Sequence, residues 1–162
     1  MHATVGSTGR TKGSREVTPL KAQYVSDFRR SLADNYKAAR RGQPVAVTQK
    51  HDNGAAILLA DELVVRLLDD VRFSPQVYTE GEQVGVWLPE LDLYALGADL
   101  AEAEEDLLEE VREYYTDFWQ DYTSYSKAPN RTGHVLHALR AYVADIQGGL
   151  ASVIFSREPA DA

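Results

Sequence analysis

Two pairs of side chains have residue types and spacings that could bind a metal ion. Glu90 and Asp92 are two positions apart, so on a strand both carboxylates would lie on one face and could share a divalent cation. His134 and His137 are three positions apart, which places both imidazoles on one face of a helix. Neither pair has an evident third ligand, and phosphoryl transfer also needs a positioned water. We therefore predict structural roles for the histidines and no metal or catalytic site, with a nuclease built on the carboxylate pair as the alternative.

The chain carries no other signature of catalysis. It contains no glycine-rich phosphate loop, nucleophile elbow or acid–base triad. It also has no cysteine, which excludes thiol nucleophiles, disulfides and thiolate zinc sites. The sequence therefore predicts a non-enzymatic protein without a cofactor.

Charge is divided sharply between the two parts of the chain. Residues 1–50 carry ten bases and three acids, a net of +7, whereas the remainder carries seven bases and 22 acids, a net of −15. A basic part attracts phosphate backbones, and an acidic part repels them but attracts basic proteins. The division predicts nucleic acid as one partner and protein as another, with ordinary solvated charge as the alternative.

Length and hydropathy are those of a globular protein. The chain has 162 residues, of which 44% are hydrophobic and 26% charged. No apolar run approaches the roughly 18 residues of a membrane span, and residues 1–14 lack the apolar middle of a signal peptide, so we expect a cytoplasmic protein. Residues 1–16 predict a mobile basic arm, either a nucleic-acid tether or a frayed terminus, and residues 157–162 predict a frayed tail.

Residues 17–70 have the pattern of a small β-α-β-β-α module. A short strand is predicted over residues 22–25, followed by a helix with Ser26 as its N-cap. Gly42 and Pro44 end that helix. Its expected buried stripe consists of apolar residues at helical spacing, namely Phe28, Leu32, Tyr36 and Ala39.

A hairpin and a second helix complete the module. The strands are predicted over residues 45–49 and 55–59, joined by the turn Asp52-Asn53-Gly54, which we expect to need positive φ angles. The helix is predicted over residues 61–68, with Leu63, Leu67 and either Val64 or Leu68 on its buried side.

Two runs in this module resemble the N-terminal part of Phd/YefM-type antitoxins over about residues 20–68. They are Val25-Ser26-Asp27-Phe28-Arg29-Arg30-Ser31-Leu32 and Gly42-Gln43-Pro44-Val45-Ala46-Val47-Thr48. Ala60 departs from the family pattern, because it stands where a helix-capping Ser is usual. The turn after Lys50 also lacks the usual Arg, for which Lys50 is a candidate substitute.

The resemblance implies a homodimer that binds operator DNA and represses the operon encoding the antitoxin and its toxin. Arg29 matches the family's DNA-contacting position best. Further predicted DNA contacts are basic residues nearby and in the arm, namely Arg30, Lys50, Arg10, Lys12 and Arg15. Solvated helix charge is the alternative for them, and we expect Arg40 and Arg41 to complement the helix C-terminus instead.

Residues 71–156 predict an acidic α+β domain with a small antiparallel sheet and long helices. The strands are predicted over residues 76–79, 84–88 and 91–96. Asp99 and Glu102 form a capping-box pattern that begins a long helix. Its apolar stripe is Leu100, Ala103, Leu107, Val111, Tyr114, Phe118 and Tyr122.

The rest of this domain is predicted as a loop, a helix and a strand. The loop spans residues 122–131, the helix 133–147 and the strand 150–155. The residues expected to face inward from this last helix are Val135, Leu136, Leu139, Tyr142, Val143 and Ile146.

A second, weaker resemblance covers about residues 76–121. The strings Gly85-Val86-Trp87-Leu88-Pro89-Glu90-Leu91 and Gly97-Ala98-Asp99-Leu100-Ala101-Glu102-Ala103 are similar to HicB-type antitoxin domains, with Asp99 in place of the usual Thr or Ser. This implies a partial ribonuclease H-like fold without catalytic activity.

The long helix carries ten acids and one base between Asp99 and Asp121. Like charges four positions apart destabilise a helix, so the excess favours a role in binding a partner, with a solvated face as the alternative. We predict toxin contacts from acids and aromatic anchors on this helix, namely Glu105, Glu109, Glu113, Trp119 and Tyr122. The two aromatic residues could instead be partly buried at the helix end.

These features together predict a type II antitoxin that neutralises a protein toxin and represses its own operon as a dimer or higher even-numbered oligomer. The alternative is a stand-alone transcriptional regulator whose acidic domain binds a ligand or another protein.

Overall fold

Residues 21–156 are described by a computed structural model, in which two small sheets and several helices form an α+β fold. The predicted arm and tail lie outside the described residues. Within the described part, no helix is long and apolar enough to cross a membrane.

The first sheet and its helices occupy residues 23–67. Strand β1 pairs in parallel with β2, and β2 pairs antiparallel with β3. The elements in chain order are β1 (Gln23–Tyr24), α1 (Val25–Arg30), α2 (Leu32–Arg40), β2 (Val45–Thr48), β3 (Ala56–Leu58) and α3 (Asp61–Leu67).

The predicted first helix is two helices separated at Ser31. Helix α1 begins at Val25 with no side-chain cap, so the assignment of Ser26 as N-cap is wrong. Gly42 has φ 85°, as expected for a residue that ends a helix in the left-handed region. Leu32 and Tyr36, predicted to be buried, are 55% and 59% exposed.

The turn between β2 and β3 has a different backbone conformation from the predicted one. The positive φ falls on His51, at 68°, and not on Asp52, Asn53 or Gly54. Asp52 instead accepts a hydrogen bond from the Gly54 amide through Oδ1 at 2.9 Å, so its side chain closes the turn. In α3, Leu67 is 68% exposed and Leu68 is buried in its place.

The second sheet and the remaining helices occupy residues 76–154. Strands β4, β5 and β6 form an antiparallel meander with β5 in the centre. The elements are β4 (Gln76–Glu80), β5 (Gln83–Leu88), β6 (Leu93–Gly97), α4 (Leu100–Gln120), α5 (Tyr122–Tyr125), α6 (Val135–Ile146) and α7 (Leu150–Ile154), with a 3-10 turn before α6 (Thr132–His134).

The main core lies between the inner face of this sheet and helices α4, α6 and α7. Its fully buried members include Val86, Leu88, Leu107, Val111 and Ile154. The predicted capping box holds the start of α4: Asp99 Oδ1 accepts from the Glu102 amide at 3.0 Å, and Glu102 Oε2 accepts from the Ala98 amide at 2.6 Å.

Three predictions about the C-terminal elements are wrong. The segment predicted as a loop contains the short helix α5, and the segment predicted as a last strand is the helix α7. The inward face of helix α6 differs in part from the prediction: Val143 is buried as predicted, but Leu136 and Ile146 are 53% and 62% exposed. The other buried residues of α6 are small, namely Ala138, Ala141 and Ala144.

Helix α6 joins the second sheet's helices to the first part of the chain. Gln147 Nε2 donates to Asp61 Oδ2 at 2.9 Å, and the Arg140 guanidinium donates to the Leu68 carbonyl. Arg40 of α2 pairs with Glu62 through two hydrogen bonds of 2.8 Å and also with Asp61. Arg40 therefore links α2 to α3 through ion pairs. The sequence instead predicts that it complements the C-terminus of its own helix.

Candidate DNA-binding and protein-binding surfaces

The predicted DNA-contacting side chains of the described region lie on α1 and just after β2. The pairing of Tyr24 with Thr48 brings Lys50 to the beginning of α1, where it lines a groove of about 480 Å³. Arg29 is exposed and makes no ion pair with any residue in 21–156. Arg30 is exposed too, but its guanidinium pairs with Asp27. Of the three predicted contacts in the described region, Arg29 and Lys50 are consequently the most available to a phosphate. The other three predicted contacts, Arg10, Lys12 and Arg15, lie outside the described residues.

The first part of the chain exposes much of its apolar surface. Among residues 21–70 the buried hydrophobic side chains are Ala39, Val45, Ala60 and Leu68. Large side chains are exposed on α1, α2, β3 and α3, including Tyr24, Val25, Leu32, Tyr36, Ile57 and Leu67. A patch of this kind on a small module is typical of a surface that a partner covers.

An acidic groove of about 430 Å³ runs between β6 and α4. One wall is the stretch of residues 92–96. The other wall is a row of side chains on successive turns of α4 that all carry carboxylates, namely Asp106, Glu109, Glu110 and Glu113. Together with Asp92 on the first wall, the lining has five acids and no base, which makes this groove attractive to a cationic ligand.

A second, apolar groove of about 550 Å³ lies between α4 and α6. Its lining is mostly aromatic and aliphatic, namely Tyr115, Thr116, Trp119, Gln120, Leu139 and Tyr142. Trp119 Nε1 is buried and has no hydrogen-bond partner in residues 21–156. The Trp119 ring stacks on Tyr122, with centroids 5.6 Å apart and planes 22° apart. A large, partly exposed aromatic surface is typical of a protein-binding anchor.

One side of the apolar groove is held by polar contacts. Tyr115 donates its hydroxyl to Asp145 Oδ2 at 2.7 Å, and Arg112 Nε donates to Asp145 Oδ1 at 3.1 Å. Burial, reinforced by the bond to Asp145, raises the pKa of Tyr115 to about 12. The Tyr115 hydroxyl is therefore neutral at physiological pH and acts as a hydrogen-bond donor.

The five residues predicted to bind the partner protein do not form one site. Glu109 and Glu113 line the acidic groove, and Trp119 lines the apolar groove with Tyr122 stacked beside it. Glu105 is exposed on α4 and lines neither groove. Since β6 and α6 pack against different sides of α4, the two grooves flank this helix.

Sequence reasoning missed several groove residues. Asp106 and Glu110 belong to the same carboxylate row as Glu109 and Glu113, and the spacing i, i+3, i+4, i+7 was a signal for it. Leu139 and Tyr142 were expected to be core residues, because nothing local in the sequence shows that α6 packs through its alanines.

Both histidines make contacts within the protein. His134 Nδ1 lies 2.5 Å from the Tyr114 hydroxyl, next to Arg131, whose guanidinium lies over the Tyr125 ring at 4.5 Å. His137 Nε2 lies 3.0 Å from the Arg72 carbonyl oxygen. Burial, assisted by Arg131, lowers the pKa of His134.

The predicted carboxylate pair is not on a strand. Glu90 and Asp92 lie in the turn between β5 and β6, where Glu90 pairs with Ser74 and Asp92 has φ 54°. They therefore do not share a strand face as expected. Among residues 21–156, no group of three or more His, Cys, Asp or Glu side chains is arranged to hold a metal ion.

Comparisons with known proteins bear on these surfaces. The family model described as "PHD_like: Antitoxin of toxin-antitoxin, RelE / RelB, TA system" matches residues 20–154. A solved structure of an antitoxin part of a proposed toxin/antitoxin system, from Syntrophomonas wolfei subsp. wolfei, aligns with a TM-score of 0.67 and 20% sequence identity, covering 83% of this chain and 96% of that chain. At this identity the structural likeness shows a common fold. No curated protein matches the chain.

Proposed function

The chain belongs to the PHD_like family of antitoxins of RelE/RelB toxin–antitoxin systems, and we propose that it neutralises a cognate protein toxin and represses its own operon as a DNA-bound dimer. Operon repression would take place in the cytoplasm. The family match is the main support for the proposal. We assign operator binding to the first part of the chain and toxin binding to the second part.

Toxin binding is assigned to the grooves that flank α4. The acidic groove is lined by five carboxylates, which would attract a basic toxin. The apolar groove offers the aromatic ring of Trp119, which stacks on Tyr122. Desolvated aromatic anchors beside a charged surface are the usual basis of a stable protein interface.

Dimerisation and operator binding are assigned to residues 21–68. The exposed apolar side chains of α2 and α3 would be covered by a second copy of the chain. Arg29 and Lys50 would then be presented twice, once by each copy, to the phosphate backbone of a two-fold operator. This is the arrangement implied by the resemblance to the Phd/YefM module, which we retain as part of the proposal. The HicB resemblance of β4–β6 and α4 is retained in the same way, and the proposal includes no catalytic step.

The proposal is tested with the reading frame next to this gene. Its product, expressed alone in a bacterial host, should arrest growth, and co-expression of the full chain should relieve the arrest and yield a co-purifying complex. The Arg29→Ala variant is the matched control, because it should still relieve arrest while losing repression of a promoter–reporter fusion. An arresting neighbour that the chain neither binds nor relieves would refute the toxin-binding part.

A stand-alone regulator is favoured by one observation, the volume of the apolar groove. About 550 Å³ lies within the usual range of small-molecule sites. In that case the neighbouring product would be harmless, and Trp119→Ala would abolish ligand-dependent repression without affecting growth.

A further inference from the structure

Strand β6 is an edge strand of the second sheet in the described part of the chain. The sheet order is β4-β5-β6, and no strand among residues 21–156 pairs with the far side of β6. Alternate backbone groups of an edge strand point away from the sheet and are available to another chain. Proteins usually block such edges with Pro, Lys or a bulge. Residues 93–97 contain neither residue, and their register with β5 is continuous.

The acidic groove follows this edge and not a face of the sheet. Successive residues of a strand point to opposite faces. Four consecutive residues of β6, 93–96, nevertheless line the same groove. A groove lined in this way must lie alongside the strand, where the unpaired backbone groups are.

The carboxylates of α4 match the side-chain spacing of an added strand. In an extended peptide, every second side chain points to the same face, about 6.6 Å from the next. Helix positions three and four apart rise by about 4.5–6 Å. Glu109 and Glu113 are four apart, as are Asp106 and Glu110. Basic side chains at alternate positions of an added strand would therefore meet successive carboxylates.

We propose that the toxin inserts an extended segment with Lys or Arg at alternate positions into this groove, where it pairs with β6 as a fourth strand of the sheet. This inference rests on the proposed function, since it names the part of the toxin that the acidic groove takes. Backbone hydrogen bonds with β6 supply the binding geometry, and the α4 carboxylates select a basic sequence. Neutral or acidic strands are disfavoured because they leave the carboxylates unpaired.

The first test measures amide hydrogen exchange of the full chain with and without the toxin. Toxin binding should slow exchange in residues 93–97. The double variant Glu109→Gln with Glu113→Gln should weaken toxin binding about tenfold, from the loss of two exposed ion pairs. The control, Glu80→Gln with Glu82→Gln, removes the same charge from the β4–β5 turn and should change affinity less than about twofold. A toxin that binds tightly while leaving residues 93–97 unprotected overturns the inference but leaves the proposed function intact.

The second test needs no toxin. A nine-residue synthetic peptide of alternating lysine and valine should bind the full chain and shift the amide NMR signals of residues 93–97. N-methylation of one alternating set of its amides should abolish binding, and N-methylation of the other set should not, because only one set faces β6. Equal effects of both would mean that charge alone attracts the peptide, and would overturn strand addition.

The exchange experiment also distinguishes the toxin from two other occupants of the groove. If the basic segment before residue 21 fills it, the free chain should already protect residues 93–97, and replacing Arg10, Lys12 and Arg15 by Gln should remove that protection. If a second copy fills it, protection should rise with protein concentration. Either result would overturn the assignment of this edge to the toxin.

Discussion

His134 lies against Tyr114 and Arg131, and its environment makes stability depend on pH. Burial, followed by the charge of Arg131, holds its pKa below the usual 6.5. Between pH 6.5 and that lowered pKa, the unfolded chain binds a proton that the folded protein does not. The contribution of neutral His134 to the free energy of unfolding is therefore fully present above pH 6.5. It is lost as the pH falls through the lowered pKa.

The variant His134→Gln should consequently lose less stability than the wild type between about pH 7.5 and about pH 5. Urea unfolding at the two pH values measures the difference. His51→Asn, which changes an exposed side chain, is the control and should lose as much as the wild type. An unchanged pH dependence in His134→Gln would mean that His134 is protonated equally easily in both states.

Arg29 is the residue on which the operator-binding proposal depends most. If Arg29 of each copy contacts a phosphate, Arg29→Ala removes two contacts per dimer, so it should reduce the steepness of log affinity against log salt by about two and weaken binding to all sequences alike. Fluorescence anisotropy with the DNA upstream of the gene measures both quantities. Arg72→Ala is the control, because Arg72 is also exposed but lies outside this surface. A reduced preference for the operator with an unchanged salt slope would instead indicate a base contact.

The junction of β6 with α4 has no room for an added side chain at Gly97. A Cβ at Gly97 would lie 2.4 Å from the Ala103 amide nitrogen and 2.9 Å from the Asp99 carbonyl oxygen. These are backbone atoms that cannot rotate away. Gly97→Ala should therefore destabilise the protein by about 1–3 kcal/mol, as overpacking usually does.

Urea unfolding of Gly97→Ala measures this loss, with Gly133→Ala as its control. A Cβ at Gly133 meets nothing within 4 Å, so this substitution should change stability by less than about 0.5 kcal/mol. Equal stability of the two variants would show that the start of α4 can shift away from β6.

Local signals predicted many of the elements, because those signals act within a few residues. The Asp99–Glu102 capping box and the stripe through Leu107 and Val111 are such signals, and both are present in α4. Gly42 likewise ends α2 in the expected conformation. In each case the residue's own chemistry decides the structure.

The sequence-based predictions failed where tertiary packing determines the local structure. A short apolar run such as residues 150–155 fits a strand or a buried helix equally well, and α7 is a helix because it packs on α6. In α6 the large residues and the alanines form separate stripes, and only contact with α4 shows which is inside. For the same reason the sequence located the acids of α4 but could not show that β6 faces them.

At the scale of the whole molecule, the exposed apolar face of α2 bears on assembly. Leu32 and Tyr36 are 55% and 59% exposed and lie one turn apart. If a second copy covers them, replacing both by Glu should weaken the dimer at least about a hundredfold, because each buried large apolar side chain contributes about 1.5–3 kcal/mol.

Sedimentation equilibrium of the full chain measures this effect. Leu136→Glu is the control, because Leu136 is 53% exposed on α6, away from this surface, and its replacement should leave the dimer intact. A dimer that survives the double substitution would place the interface elsewhere.

The carboxylate row of α4 has a consequence for how the protein responds to dissolved ions. Neighbouring carboxylates on successive turns repel one another over a distance shorter than the Debye length, which is about 10 Å at 0.1 M ionic strength. Added ions weaken this repulsion and should raise the melting temperature of the free protein. The same ions weaken attraction to a basic partner. If the groove binds a basic toxin as proposed, a rise in ionic strength would stabilise the free antitoxin and at the same time weaken the complex.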